Sequence, residues 1–247
     1  MKSIFAGILL FITQIGIGQS NFINNGSITY ERRVSQFKIN EKEGDEGEAF
    51  WKEEMMKVMT KTLSDMFTLQ FNGEQSFYHL AKENTDNKYM FGNIKPIETD
   101  YVAQNFSTES TSLLKSVFEN QYLINDSSKK YEWKITGEVR TIAGFECKKA
   151  ITKICDSVVV VAFYTDQITV KGGPENFNGL PGMIMGLAIP RLASTWFATK
   201  VELNNNPITI PSTKGKKVTF KDMNKEIAKG MSNWGGMGAV IVWMANL

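Results

Sequence analysis

From Ile28 to Leu203 the chain keeps returning to a two-residue alternation of apolar and polar side chains, and that pattern commits most of it to sheet. A strand turns successive side chains to opposite faces, so alternation marks a segment with one dry face and one wet face. Ile28, Tyr30 and Val34 fall on one face of the first run, with Thr29, Glu31 and Arg33 opposite. "FTLQFNGEQSFYHL" sets Asn72-Gly73 between two alternating runs, a strong hairpin signal. A two-residue turn there pairs Phe67 with Tyr78 and Leu69 with Ser76. "QYLI" is the strand-like part of the ambiguous stretch 111–124. "YEWKITGE" puts Tyr131, Trp133 and Ile135 inward, and Glu132, Lys134 and Thr136 outward. "TIAGFECKKAIT" continues that run, with a slip near Lys148-Lys149 that predicts a bulge. "SVVVVAFYT" reads as a strand buried on both faces, reached by a turn near Cys155-Asp156-Ser157. Phe197, Thr199, Val201 and Leu203 share a face of a later strand.

Helical spacing is rarer. Trp51, Met55, Val58, Met59, Thr62, Leu63 and Met66 predict a helix after the polar break 40–48. Phe220, Met223 and Ile227 predict a second, ending at Gly230. Residues 81–100 read as loop, and the apolar tail from Trp234 is expected to pack on the sheet. Strands joined by short connections imply an α+β, mainly antiparallel fold: a single strongly curved, half-barrel-like sheet with one or two helices.

"GPENFNGLPGMIMGLAI" (173–189) interrupts the alternation. Leu180-Pro181-Gly182-Met183 fits a type II turn, with Pro fixing φ at the second position and Gly allowing positive φ at the third. "MIMGLAI" then reads as a buried strand stopped by Pro190. Loop amides can bind anions. This loop offers no Lys, Ser or Thr for a phosphate and feeds a strand rather than a helix, so a structural turn is the expectation.

With 42% apolar residues the chain has enough material for one core, and a formal charge of +2 is too small for the dense basic surface that nucleic-acid binding requires. "MKSIFAGILLFITQIGIGQS" has Lys2, an apolar stretch from Ile4 to Ile12, and small residues Gly16 and Gly18. That is the layout of a signal peptide, residues 1–18, ahead of a single β-rich domain, 19–247. The apolar stretch is short for a membrane span, no later segment is long and apolar enough to cross a membrane, and no Cys follows to carry a lipid. The expectation is export to the periplasm or outer-membrane surface, with no transmembrane segment in the mature chain. Export permits disulfides. Cys147 and Cys155 on one continuous strand would stand roughly 26 Å apart, out of bonding reach unless the chain turns between them.

Several elements in fixed order resemble the GLPGLI family of exported Bacteroidota proteins. They are Ile142, Gly144, Phe145, Cys147, Lys149 and Ala150; then Phe163, Tyr164 and Thr165; then Gly173, Pro174, Phe177, Gly179, Leu180, Pro181 and Gly182. Met183-Ile184-Met185 stands where Leu-Ile-Leu is usual, a volume-conserving change. Cys155 is outside the pattern. The resemblance implies secretion and a β-rich fold, and no reaction.

His79 is the only histidine, so any Ser-His-Asp or Cys-His scheme must use it. It falls on the face of Thr68 and Gln70, and no partner motif accompanies it. Glu132, Glu138, Asp156 and Asp166 are accounted for as outward strand positions. Met55 and Met59 belong to an apolar stripe, and Cys147 alternates with Phe145 as a buried thiol. No catalytic residue, metal site or cofactor is assigned. The functional expectation is an envelope protein that binds an apolar ligand, lipid or peptide, on a curved sheet through Trp133, Phe163, Tyr164 and Phe177. Two alternatives are a partner module for an outer-membrane transporter, using an exposed strand edge, and a histidine-independent periplasmic enzyme.

Overall fold

A computed structural model describes residues 22–37, 55, 57–89, 95–155 and 157–247. Their strands are β1 (Gly26–Ser35), β2 (Thr62–Phe71), β3 (Gln75–Lys82), β4 (Tyr101–Asn105), β5 (Ser110–Val117), β6 (Asn120–Ser127), β7 (Lys134–Ile142), β8 (Phe145–Ile154), β9 (Val158–Thr165), β10 (Met183–Ile189), β11 (Ser194–Glu202) and β12 (Lys216–Val218). Two helices follow, α1 (Phe220–Gly230) and α2 (Gly235–Ala245). The strands form one sheet in the order β12-β6-β5-β4-β3-β2-β1-β11-β10-β9-β8-β7. Every neighbour pair is antiparallel except β12 on β6. The expected signal peptide and the residues of the expected first helix up to 54 lie outside the described residues.

The mainly antiparallel sheet with two helices matches the expectation. Its strong curvature does not: the sheet is open, with β12 and β7 as its edges, and is not curled into a half-barrel. Nor is its inner face empty. Ile28 and Tyr30 of β1, Leu113 of β5, Ile124 of β6, Val160 of β9 and Ile184 of β10 share one core with the 172–182 loop and both helices. At roughly 25 cal/mol per Å² of apolar surface removed from water, that contact holds the loop and helices to the sheet.

The expected first helix is corrected. Met55, Lys57 and Val58 are helical, with Met59 N–H donating to Met55 C=O at 2.9 Å. From Thr62 the chain is strand β2, whose buried positions Leu63, Asp65, Phe67, Leu69 and Phe71 alternate strictly. Asp65 hid that alternation by putting a carboxylate in the apolar row. The hairpin register also shifts by two residues, to Leu69 opposite Tyr78 and Phe71 opposite Ser76. The Asn72 side chain accepts from the amides of Glu74 and Gln75, which moves the turn one residue on to Gly73-Glu74. A shift of two keeps every side chain on its expected face.

Other departures have local causes. "TIAGFE" is a hairpin and not a continuous strand. Ala143 (φ 49°) and Gly144 (φ 86°) turn β7 into β8, with Ile142 opposite Phe145. Burial along β8 does change parity between Cys147 and Ala150, as the Lys148-Lys149 slip requires. The ladder takes it up in β7, between Ile135 and Val139. Ile135, expected inward, is half exposed because β7 is an edge strand. Only the second half of β9, Ala162–Thr165, is buried on both faces. Phe197 and Thr199 face outward, while Ser194, Trp196 and Ala198 point into the core; a bulge at Thr199, opposite Thr29-Tyr30, then flips the parity, so that Val201 lies opposite Ile28 and packs against the core, contrary to the single shared face expected. Strand β5 occupies part of the ambiguous stretch 111–124, and β4 follows directly on the expected loop 81–100. Helix α1 starts as expected, with the Thr219 hydroxyl accepting from Asp222 N–H, and buries Met223 and Ile227.

Candidate functional site

The 171–182 segment is a loop in backbone only; its side chains from Gly172 to Phe177 are buried. Glu175 adopts φ 54°, strained for a residue with a Cβ, and that bend sends its side chain one way and Phe177 the other. Gly173 lets the loop lie on Ile184, whose Cβ would stand 2.7 Å from any Cβ added there. Gly182 is held harder: it takes φ 149°, and an added Cβ would stand 2.0 Å from the Thr165 carbonyl oxygen. The corner differs from the expected type II turn. Gly182 N–H donates to Leu180 C=O at 2.8 Å, closing a γ-turn on Pro181. It delivers the chain into β10, which is almost wholly buried, as expected.

On the sheet side of the loop lies a buried polar cluster that the sequence reading missed. Arg32 of β1 donates to Asp65 at 2.8 Å, and Tyr89 and Asn87 donate to the same carboxylate at 2.9 and 2.8 Å. The Glu175 carboxylate accepts from Trp196 Nε1 at 3.2 Å and Tyr78 Oη at 3.4 Å. Burial works against the Arg32 charge, yet Asp65, Glu175 and Tyr78 outweigh it and hold the guanidinium above its ordinary pKa. Burial and the neighbouring Glu175 push the Tyr78 phenol well up. Arg32 Nε is buried without a partner among the described residues. Cavities of about 40 and 30 Å³ flank Arg32 and Glu175, room for a water or two and not for a substrate.

On the other side, Phe177 packs at 5.1 Å against the tilted Tyr131 ring, and Trp133 closes on it at 6.4 Å while its Nε1 donates to Asn178 C=O at 2.9 Å. Beside this aromatic wall runs a groove of about 360 Å³ lined by Lys129, Lys130, Lys153, Tyr131, Phe177 and Asn246. Lys129 donates to the Asn246 carbonyl at 2.8 Å and sits 4.3 Å over the Phe220 ring. Burial lowers its pKa to about 8. A further hollow of about 560 Å³ between Phe22–Asn25 and Leu203–Asn205 carries no ionisable side chain.

The four aromatics expected to share a ligand are separated. Trp133 and Phe177 meet. Phe163 and Tyr164, being consecutive on β9, point to opposite faces, and both are buried. Phe163 lies under the Arg140 guanidinium at 4.8 Å. His79 shares the face of Thr68 as expected; its Nδ1 is engaged with the Leu80 carbonyl at 2.9 Å, and its ring packs on Phe77. Cys147 is fully buried, its thiol pushed up to about 11 by burial, and no disulfide joins it to Cys155. Glu138 accepts from Lys149 and Arg140, and Asp166 from Lys148, surface pairs that fully account for those carboxylates. No described helix is long and apolar enough to cross a membrane.

A comparison with curated proteins finds no match. Two solved structures of PNGF-II, in space groups C2 and P21, are similar in fold, with a TM-score of 0.53 in each case. They are 18% and 19% identical and cover 81% of this chain, while this chain spans only 32% and 33% of theirs, about a third of their length. Residues 59–223, which include the hairpin β2–β3, the loop with Glu175 and Phe177, and the amines of the groove, match the family model described as the N-glycanase peptide, N-terminal domain. The chain therefore belongs to the N-glycanase peptide N-terminal domain family.

Proposed function

We propose that this chain is a recognition domain of an exported protein, which binds saccharide without acting on it. The groove beside Tyr131 and Phe177 carries this reading. At about 360 Å³ it falls in the size range of small-ligand sites, and it joins the half-buried Tyr131 ring to lysine amines. Sugars present just that pairing, an apolar ring face and a rim of hydroxyls. The family to which the chain belongs, described by its link to an N-glycanase, supports the ligand class. The signal-peptide layout of residues 1–18 and the resemblance to exported GLPGLI proteins support the envelope location.

The non-catalytic part of the proposal rests on how the ionisable groups are used. Arg32 is paired with Asp65, and Glu175 accepts from Trp196 and Tyr78, beside cavities too small for a sugar ring. An apolar ligand is less well supported, because Phe163, Tyr164 and Phe177 are already covered by protein. A glycan array probed with the full chain tests the reading. Retention of saccharides, abolished by Tyr131→Ala in a folded variant, is the expected result. Retention of lipid or peptide alone would overturn it in favour of the apolar-ligand or partner-module readings.

A further inference from the structure

We infer that the saccharide bound in this groove is anionic, its acidic group held by Lys129, Lys130 and Lys153 and its ring face by Tyr131. The inference rests on the saccharide-binding reading above and adds the charge class. Three ammonium groups line one depression of about 360 Å³, and no carboxylate residue lines it among the described residues. Lys130 alone has a described counter-charge, the exposed Glu109 at 2.9 Å. Lys129 is fixed rather than floating. Its ammonium is pinned by the Asn246 carbonyl and side-chain oxygen at 2.8 and 3.3 Å and by the Phe220 ring, all of them uncharged. Like charges gathered on one wall repel, and an acidic ligand reverses the sign of that interaction. The low-dielectric wall of Tyr131 and Phe177 concentrates the field, so an anion gains more here than at an open surface. Lys130 and Lys153 are exposed and can close on a ligand as charged hydrogen-bond donors.

Calorimetry with the full chain and three probes of similar length tests this: a uronic-acid oligosaccharide, a sulfated one and a neutral one. At least one acidic probe is expected to bind about tenfold or more tightly than the neutral probe, the size of one charge-assisted contact. That advantage is expected to shrink with added salt. The choice between the two acidic probes identifies a carboxylate or a sulfate as the natural group. Lys153→Ala, at an exposed position where folding is safe, should remove most of the preference without shifting the melting temperature, and Lys153→Arg should keep it. Equal binding of neutral and acidic probes, or a preference untouched by Lys153→Ala and Lys130→Ala together, would overturn the anionic assignment and leave saccharide recognition standing. Binding of none of the three would remove both.

Discussion

Arg32 shows where information sat in plain view. Ile28, Tyr30, Arg32 and Val34 occupy one parity of β1, so a strand reading assigns Arg32 to the core. Asp65 holds the same kind of place between Leu63 and Phe67 on β2. A charge in an apolar row is the one sequence signal for a buried pair, and the antiparallel ladder sets Arg32 directly opposite Asp65. Glu175 had no such signal, since it enters from a loop. Replacing Arg32 with Met leaves Asp65 without its cation and should cost about 3–5 kcal/mol, read as a lower urea midpoint. Gly182→Ala forces a side chain onto the Thr165 carbonyl at positive φ and should cost about 2–4 kcal/mol or prevent folding, by the same measurement. For the cysteines, a thiol reagent should label exposed Cys155 in the native protein and reach Cys147 only on unfolding.

Among the elements, the strands with clean alternation were legible and those with mixed rows were not. β1 and the β2–β3 hairpin follow from period two. β2 was half lost to a helical reading because Val58, Met59, Leu63 and Met66 also satisfy a period of 3.6. Tertiary pairing with β1 decided it. The β7–β8 turn was missed because Ala143 is a poor residue for φ 49°. For the same reason Ala143→Asn should stabilise the protein by about 0.5–1 kcal/mol, seen as a raised thermal midpoint, since Asn-Gly suits this turn. No increase would mean that the backbone there relaxes out of the left-handed region.

Across the whole molecule, buried ionisable groups set a response to alkaline pH. Lys129 titrates at about 8 when folded against 10.5 ordinarily, so between those values the unfolded chain holds more protons and stability rises with pH. Burial raises Tyr30 and Tyr78 well above 10.0, so above about pH 10 the unfolded chain sheds protons that the folded one keeps, and stability falls. Thermal unfolding across that range should climb from about pH 8 and turn down beyond about 10. Lys129→Met should flatten the climb alone, and phenolate absorbance should appear together with unfolding. By itself the sequence determined that the chain builds mainly antiparallel sheet, that a Pro-Gly corner at 181–182 feeds a buried strand, and that a helix starts at Phe220 and ends at Gly230, because period, turn chemistry and helix termination act over a few residues. Only the tertiary structure decided which strands adjoin, that the loop and helices fill the inner face, and that Lys129, Lys130, Lys153 and Tyr131 meet in one groove. Those outcomes depend on contacts between segments far apart in the chain, which local pattern does not encode.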